Sequence, residues 1–447
     1  MIVAYNNLKK NKSLKTSRLN SLILDNIDFE NFKILGKEIH TGTYNPKPKK
    51  KVYINKQHSL PNALDIILQE AVRIILEYIY EPKFLTTSHG FRPKKGCHTA
   101  LNFYKKKFQK VSWLININIK GCFDNINHKK LIEELSKDIS DKPFFDLIWK
   151  FLKVGYIFDN KVHKSSLELF QGSIIGPILS NIYLNKLDVY MKFLKNSFDT
   201  GLKTNPAYIS IVRKKKHFDC KQKVQPLLLN NNKYKRLVYI RYADDFLIGI
   251  DSSKESANSV FKNVKNFLIE TFNYDLKDSS KVLHFISEKT MFLGVELKGI
   301  KTDIVPTIKN FYRKISVRPI IIMPIEKIRI KLVEYNFVKK IGKNYKPTRC
   351  GRLIHIDLHQ ILNYYNIIYK SFCDYYYICM NRSLLNTIHY FLKYSCILTI
   401  ASKMRLKTKC KVFKKYGNTL SIKLKNKDFL ILNLGKFSLQ YYYNYIK

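Results

Sequence analysis

The sequence RLVYIRYADDFLIGI, residues 236–250, places two adjacent carboxylates between two apolar runs. The runs at 237–240 and 246–250 are rich in β-branched and aromatic residues, which favours strands. A short turn between two strands would put Asp244 and Asp245 at the tip of a β-hairpin. Hard cations such as Mg²⁺ take oxygen ligands, so paired aspartates suit phosphoryl transfer to a nucleotide. The alternative interpretation is a solvated turn, because aspartate is common in turns.

Two upstream segments also show clear periodicity. LININI, residues 114–119, alternates so that isoleucines occupy one face of a predicted strand, with Asn116 and Asn118 on the other. Residues 63–80 carry apolar side chains at helical spacing, which predicts a helix that ends before Pro82.

Less regular segments complete this part of the chain. A turn and a helix around residues 129–135 follow the LININI strand, and a further strand is predicted at 291–297. Residues 203–235 are charged and lack an apolar pattern, so we interpret them as an irregular insertion. The mixture of strands and helices predicts an α+β fold.

The overall composition indicates a folded protein with a polyanionic partner. A chain of 447 residues with 45% hydrophobic content can form two or three domains. Its formal net charge of +46 is spread along the whole length, and 13% of its residues are aromatic. Nucleic acid is therefore the predicted partner. We expect no membrane association, since no apolar run approaches the roughly 20 residues of a spanning helix.

The choice of basic residue points to an organellar genome. Only 13 of the 80 basic residues are Arg, and Lys is accompanied by many Asn, Ile, Tyr and Phe, all encoded by A+T-rich codons. The 2 Trp favour a plastid over a mitochondrion that also reads UGA as Trp. The basic leader before Asp25 resembles a transit peptide, but an RNA-binding arm is equally compatible. The genomic bias favours synthesis within the organelle.

Cysteine usage predicts reduced thiols. The 8 Cys are scattered and form no CxxC pair, so neither a disulfide framework nor a zinc ribbon is indicated. Cys350, His355 and His359 approach the spacing of zinc ligands, but a fourth ligand is missing. The two histidines have the alternative of sharing a helix face.

The character of the chain changes beyond about residue 305, where long helical patterns rich in Lys and Tyr begin. One apolar stripe steps by three and four residues through Leu362, Tyr365, Tyr369, Phe372 and Tyr376. We interpret this stripe as core rather than as RNA-stacking groups. The better candidates for RNA contact lie off the stripe: Asn366, Lys370, Asp374 and Asn381.

An ordered series of segments resembles the group II intron-encoded reverse transcriptase/maturase family. In the first part these segments are LDIILQEAVRIILEYIYEPKF with SHGFRPKKGCHTAL (64–101), INIKGCFDNINHKKL (117–131), QGSIIGPILSNIYLNKLD (171–188), RLVYIRYADDFLIGI (236–250) and FLGVEL (292–297). Two later segments resemble the maturase segment, domain X: YNIIYKSFCDYYYICMN (365–381) and LKYSCILTIASKMRLKTKCKVFKKYG (392–417). The resemblance covers roughly residues 60 to 420.

The resemblance implies a right-hand polymerase architecture. A basic N-terminal extension and linker would occupy residues 1–50, and fingers and a palm with an antiparallel sheet would occupy 51–305. An all-helical thumb, domain X, would occupy 306–447. Because only 30 residues follow Gly417, we expect no DNA-binding or endonuclease module.

The resemblance also implies roles for particular residues. Asp244 and Asp245 match the catalytic palm ligands of Mg²⁺, and Phe123 matches the aromatic residue that screens the sugar 2′ position. Gln171 and Gly172 match the loop near the incoming nucleotide. Phe123 as ordinary core and Gly172 as a plain turn glycine are the alternatives. Candidate RNA contacts in domain X are Lys370, Tyr377, Lys393, Ser395, Lys403, Arg405, Lys409, Lys411 and Lys415, each of which has the alternative of a solvated surface residue.

One departure from the family bears on catalysis. The family text DIKGCFD carries the first metal-binding aspartate, but here that position is Asn118. An amide offers one neutral oxygen and cannot bridge two cations as a carboxylate can. Asp124 lies six positions downstream, and we expect it to cap the following helix near His128 rather than to substitute for the missing ligand.

Three hypotheses follow. The leading one is an intron maturase that binds its host intron RNA and stabilises the folded ribozyme, with reverse transcriptase activity lost and Mg²⁺ binding weak or vestigial. The alternative is an active RNA-directed DNA polymerase that uses dNTPs and supports intron mobility. The third is a decaying reading frame without function.

Overall fold

The computed structural model covers most of the chain. The residues that it describes are 1–10, 29–54, 56–60, 63–123, 125–154, 156–158, 161–163, 173–200, 202–204, 227–229, 235–301, 305–306, 312–313, 317–417, 420–423 and 429–431.

The described residues include twelve α-helices and three short 3₁₀ turns. The helices are α1 Ile2–Lys10, α2 Phe29–His40, α3 Ala63–Tyr80, α4 Cys97–Lys107, α5 His128–Ser136, α6 Lys142–Lys153, α7 Gly176–Phe198, α8 Lys254–Phe272, α9 Ile325–Glu334, α10 Leu358–Tyr376, α11 Leu385–Lys403 and α12 Lys409–Tyr416. The 3₁₀ turns are Glu81–Lys83, Gly351–Leu353 and Arg382–Leu384.

Twenty strands accompany these helices in the described part of the chain. They are β1 Lys49–Ile54, β2 Lys56–Leu60, β3 Ser88–His89, β4 Trp113–Asn118, β5 Tyr156–Phe158, β6 Lys161–His163, β7 Leu202–Thr204, β8 Leu227–Leu229, β9 Arg236–Tyr242, β10 Asp245–Asp251, β11 Lys281–His284, β12 Thr290–Phe292, β13 Val295–Lys301, β14 Val305–Pro306, β15 Tyr312–Arg313, β16 Val317–Ile322, β17 Val338–Ile341, β18 Asn344–Pro347, β19 Ser421–Lys423 and β20 Phe429–Ile431.

The chain divides into two compact units. The first comprises Met1–Glu288 with Lys301–Arg318, and the second comprises Lys289–Ile300 with Pro319–Lys447. None of the described helices is long and apolar enough to cross a bilayer.

A five-stranded sheet forms the centre of the first unit, in the order β11-β4-β10-β9-β3. Its pairs are antiparallel except for the edge strand β3, which runs parallel to β9. Ile115 and Ile117 of β4, and Ile119 directly after it, are fully buried, as the alternation of this segment predicts. The predicted palm sheet is therefore antiparallel apart from one short edge strand.

Two predicted helices of the first unit are confirmed. Helix α3 spans Ala63–Tyr80, and Pro82 lies in the 3₁₀ turn that follows it. Helix α5 begins after Asn127, whose side chain accepts a hydrogen bond from the backbone N–H of Lys130 at 3.1 Å. Asn127, rather than the expected Asp124, is thus the N-cap residue, and Asp124 lies outside the described residues.

The second unit is built around the pair α10 and α11. Leu362, Tyr365 and Tyr369 of the predicted stripe are buried, whereas Phe372 and Tyr376 are half-buried. The hairpins β17–β18 and β19–β20 correct the expectation of an all-helical thumb. These hairpins are four and three residues per strand, too short to leave a readable period in the sequence.

Two further expectations need correction. The predicted strand at 291–297 is two strands, β12 and β13, because Leu293 and Gly294 adopt positive φ of 49° and 72° and turn the chain. Most of the predicted insertion 203–235 lies outside the described residues, but β7 and β8 pair within it as an antiparallel ladder.

Candidate functional site

The two adjacent aspartates lie at the predicted hairpin. Strands β9 and β10 pair so that Tyr242 is opposite Asp245, and Ala243 and Asp244 form a two-residue turn. Ala243 adopts a φ of 54°, in the left-handed region that this type of tight hairpin requires. Both carboxylates are half-buried at the end of the central sheet.

Asn118 is the cross-strand neighbour of Asp245. The register of β4 and β10 sets the two residues opposite each other, and the Nδ2 of Asn118 donates a hydrogen bond to Oδ1 of Asp245. The Oδ1 of Asn118 is buried and has no hydrogen-bond partner. The backbone of Asn118 is fixed by Ser280, whose Oγ accepts from its N–H at 3.1 Å, and by the N–H of Lys277, which donates to its carbonyl at 3.0 Å.

The pKa of Asp245 is raised to about 6 by burial and by the negative charge of Asp244. Lys277 and the Asn118 hydrogen bond oppose this rise but do not cancel it. Burial disfavours the ionised form of the carboxyl, and the neighbouring negative charge adds to this effect. A cation bound at this position would favour the ionised form.

The oxygen donors at the hairpin are the carboxylates of Asp244 and Asp245, and Oδ1 of Asn118 is a buried oxygen without a hydrogen-bond partner. Two carboxylates and one neutral amide oxygen suit the donor chemistry of one divalent cation better than that of two. Within the part of the chain that the structure describes, no group of three His, Cys, Asp or Glu side chains is arranged to hold a metal. The same holds for Cys350, His355 and His359, whose spacing approaches that of zinc ligands but which form no such group among the described residues. A bound Mg²⁺ would supply Lewis-acid stabilisation of phosphate charge.

The hairpin rests on a buried ion pair that the sequence analysis missed. Arg241 is fully buried and donates from Nε and Nη2 to the two carboxylate oxygens of Asp188 at 2.8 and 2.6 Å. Its Nη1 donates to the carbonyl oxygen of Ala243 at 3.0 Å, directly behind the acidic turn. Further donations reach Asn181 and Ser88 at 3.0 and 2.7 Å. Residues of three elements, β3, α7 and β9, thus set the position of the turn.

Strand β3 supports the same turn from the other side. The carbonyl oxygen of His89 accepts from the N–H of Ala243 at 3.1 Å. Gly90 follows at a φ of +84°, and a Cβ there would approach the Tyr242 ring and the Ala243 nitrogen to 3.2 Å. The close approach of these backbones is the physical reason for glycine at this position.

The nucleotide-binding-like residues are only partly described. Phe123 is half-buried, and its ring meets that of Phe91 edge-on at a centroid distance of 6.2 Å. Phe123 also packs against the main core of the first unit, so both its interpretations remain compatible with its position. Gln171 and Gly172 lie outside the described residues.

Most of the predicted RNA contacts in the second unit are accessible. Lys370, Arg405, Lys409, Lys411 and Lys415 are exposed, and Tyr377, Lys393 and Lys403 are half-buried. The Nζ of Lys403 donates to the carbonyl oxygen of Ile354 at 3.0 Å, which fixes this lysine to the protein surface.

The prediction that Ser395 and Asn381 are RNA contacts needs correction. Ser395 is fully buried, where its Oγ donates to the carbonyl oxygen of Thr348 at 2.7 Å and lies 2.9 Å from the Tyr365 hydroxyl. Asn381 exchanges two hydrogen bonds with the backbone of Met323, at 2.8 and 3.1 Å. Ser395 is therefore inaccessible to RNA, and the half-buried Asn381 side chain is engaged with the backbone of the same unit.

Family models match both parts of the chain. The reverse transcriptase (RNA-dependent DNA polymerase) model matches residues 46–297, and the type II intron maturase model matches residues 316–441. The first match includes the acidic hairpin and the central sheet, which are the palm of a reverse transcriptase fold. The chain belongs to the group II intron-encoded reverse transcriptase/maturase family.

Named relatives agree with this membership. The putative COX1/OXI3 intron 1 protein of Saccharomyces cerevisiae is 34% identical over 98% of this chain and 55% of its own length. The group II intron-encoded protein LtrA of Lactococcus lactis subsp. cremoris is 34% identical over 90% of this chain and 72% of its own. Nuclear intron maturase 2, mitochondrial, of Arabidopsis thaliana is 23% identical over 81% of this chain and 56% of its own length. The chain thus spans about half the length of the first of these relatives.

Proposed function

We propose that this protein is an intron maturase, an RNA-binding splicing cofactor that stabilises the folded group II, or group II-derived, intron RNA. The observation that carries the proposal is the pairing of Asn118 with Asp245, which leaves a palm with two carboxylates in a chain of net charge +46. The chain keeps its RNA-binding character while its polymerase site lacks a ligand.

The absence of one carboxylate acts directly on polymerase chemistry. Two-metal catalysis holds two dications about 3.5 to 4 Å apart, and their repulsion is offset by bridging carboxylates. Here the Asn118 amide also donates a hydrogen bond to an oxygen of Asp245 that a cation would use. We therefore propose that reverse transcriptase activity is lost and that Mg²⁺ binding at Asp244 and Asp245 is weak.

Stabilisation of RNA needs no chemical step from the protein. A protein that binds the folded ribozyme more tightly than the misfolded RNA shifts the population toward the folded form by that difference in affinity. Lysines that contact phosphates across helical junctions supply such a difference, since folding brings phosphates together. Transesterification stays with the RNA.

Primer extension and splicing assays test the two parts of the proposal. Purified protein is incubated with a primed RNA template, dNTPs and Mg²⁺ or Mn²⁺, and wild type is compared with Asn118→Asp. We expect no extension by the wild type; robust DNA synthesis by the wild type would contradict the loss of polymerase activity. Separately, added protein is expected to lower the Mg²⁺ concentration at which the host intron splices.

The second candidate is an active RNA-directed DNA polymerase that supports intron mobility. The preserved hairpin with Asp244 and Asp245, buttressed by Arg241, is the specific observation in its favour. The same primer extension assay decides between the two.

We place the protein in an organelle. The abundance of residues that have A+T-rich codons supports this location, and relatives include a protein named mitochondrial. The preference for a plastid rests on the Trp count alone, and named plastid proteins are not among the relatives described above. Sequencing of the genomic locus that carries this reading frame tests the location and identifies the host intron.

A further inference from the structure

Helices α11 and α12 lie in a segment with an unusual charge pattern. Residues 375–427, which we call the acid-free segment, contain twelve Lys and Arg residues and no Asp or Glu. Shorter acid-free stretches occur elsewhere, as at 1–24 and 82–123, but 375–427 is the longest in the chain, and its positive charge has no internal neutralisation. Its surface is complementary to a polyanion.

Two tyrosines stand on this basic surface. Tyr390 is 49% exposed, although a ring of this size is usually more deeply buried. Its ring centroid lies 4.7 Å from that of Tyr394, one helical turn further along α11. We call Tyr390 and Tyr394 the tyrosine platform.

Lysines frame the tyrosine platform. The Nζ of Lys409, on α12, lies 5.0 Å from the centroid of the Tyr394 ring, within the range of a cation–π contact. The Nζ of Lys393 lies 6.0 Å from the Phe413 ring, which ties the same two helices together a second time. The exposed ring of Tyr390 thus lies on the same helix pair as two ammonium groups, those of Lys393 and Lys409, each of which is close to an aromatic ring.

We infer that the tyrosine platform binds unpaired bases of RNA, whose phosphates contact the lysines around it. This inference rests on the proposed function and names the part of the RNA that this surface recognises. An exposed ring can stack only on a base whose face is free, and bases within a duplex have their faces covered by neighbours. The platform therefore selects loops, bulges and single strands, while the lysines bind any phosphate backbone.

The test compares three full-length variants with the wild type. Tyr390→Ala removes the outer ring, and Tyr390→Phe keeps it. Tyr78→Ala is the matched control, since Tyr78 is 87% exposed on α3, outside the acid-free segment. Fluorescence anisotropy measures binding to an oligouridylate of about 12 nucleotides and to an RNA duplex of about 20 base pairs.

Tyr390→Ala is expected to weaken oligouridylate binding by about tenfold and to leave duplex binding within about twofold of wild type. Tyr390→Phe and Tyr78→Ala are expected to bind both RNAs as the wild type does. Unchanged oligouridylate binding by Tyr390→Ala, or an equal loss on both RNAs, would overturn the inference. So would a monomer–dimer equilibrium that Tyr390→Ala abolishes without any effect on RNA.

Failure of the inference is distinguishable from failure of the proposed function. Lys411 is an exposed residue of α12, and the variant Lys411→Ala serves as the second comparison. It is expected to weaken binding to the oligouridylate and to the duplex by the same factor. A wild type that binds the intron RNA but is insensitive to Tyr390→Ala contradicts only the inference. A wild type that binds neither probe nor the intron contradicts the proposed function as well.

Discussion

At the scale of single residues, the amide of Asn118 contacts one of the two palm carboxylates. The family resemblance matches Asn118 to the first metal-binding aspartate, and the register of β4 and β10 sets it opposite Asp245. The orientation of the Asn118 amide could not be predicted from the sequence, because it depends on the contact with Asp245 that the strand register creates. A carboxylate accepts hydrogen bonds and an amide nitrogen donates them, so the nitrogen faces Asp245 and the oxygen is left without a partner.

Asn118→Asp is predicted to create a tighter cation site. A third carboxylate beside Asp244 and Asp245 adds one unit of negative charge and a bridging oxygen, so Mn²⁺ affinity is expected to rise by about tenfold or more. Isothermal titration calorimetry with Mn²⁺ measures the change. Asn116→Asp is the control, because it adds the same charge two residues earlier on the same strand. Equal gains in both variants would show that general charge, not a third ligand, is responsible.

His89 is predicted to make the first unit sensitive to acid. Burial lowers the pKa of His89 to about 4, with smaller contributions from Lys95, Arg92 and Arg241. In the unfolded chain His89 has its ordinary pKa of about 6.5, so between about pH 6.5 and pH 4 it is protonated there but not in the folded chain. Stability therefore falls as pH decreases from about 6.5 to about 4.

The effect is measured by urea unfolding at pH 7 and pH 5. Fluorescence reports the first unit, because both Trp residues, Trp113 and Trp149, belong to it. Between these pH values the wild type is expected to lose about 2 kcal/mol more than His89→Asn, whose amide can still meet Thr99. The same loss in both proteins would contradict the assignment to His89.

At the scale of elements, the acidic hairpin owes its position to contacts that are distant in sequence. Arg241 contacts Ser88, Asn181 and Asp188, which lie 153, 60 and 53 positions away. A local pattern contains no information on such pairings, which explains why the hairpin was predicted and its support was not. For the same reason the two-residue strand Ser88–His89 escaped prediction, since two residues cannot show a period.

Asp188→Asn is predicted to destabilise the first unit by about 3 to 5 kcal/mol, because Arg241 keeps its charge in a fully buried site without a carboxylate. Urea unfolding followed by Trp fluorescence measures the loss. The double variant Asp188→Leu with Arg241→Met removes both charges and is expected to be more stable than Asp188→Asn. A double variant less stable than the single one would show that the pair itself, rather than its desolvation, dominates.

Predictability of the elements followed their length. The 18-residue helix Ala63–Tyr80 was predicted with its bounds because its apolar spacing repeats over several turns. The division of residues 291–297 into two strands was missed because Leu293 adopts a positive φ beside Gly294. Leucine gives no sequence signal for such a turn. A tertiary contact accompanies this turn: the Tyr375 hydroxyl donates to the carbonyl oxygen of Leu293.

At the scale of the whole molecule, the net charge of +46 predicts that any RNA binding depends strongly on salt. Each lysine that binds a phosphate releases a counterion, so the double variant Lys409→Ala with Lys411→Ala is predicted to reduce the slope of log K against log salt by about 0.7 to 0.9 for each phosphate that is no longer neutralised. Binding of intron RNA across a salt series measures the slope. Lys262→Ala with Lys265→Ala, two exposed lysines of α8, is the matched control and is expected to change the slope less. Equal changes would indicate diffuse attraction rather than a defined surface.

The acid-free segment 375–427 also sets how the RNA-binding surface responds to proton concentration. Ordinary pKa values of Lys and Arg lie above 10, and no carboxylate is present between Asp374 and Asp428 to gain a proton. His389, the one imidazole in the segment, has a lowered pKa because of burial and the charge of Lys393. The positive charge of this surface is therefore almost constant from neutral pH to mild alkalinity. If the proposed function holds, the electrostatic part of RNA binding by this surface is expected to change little over the same pH range.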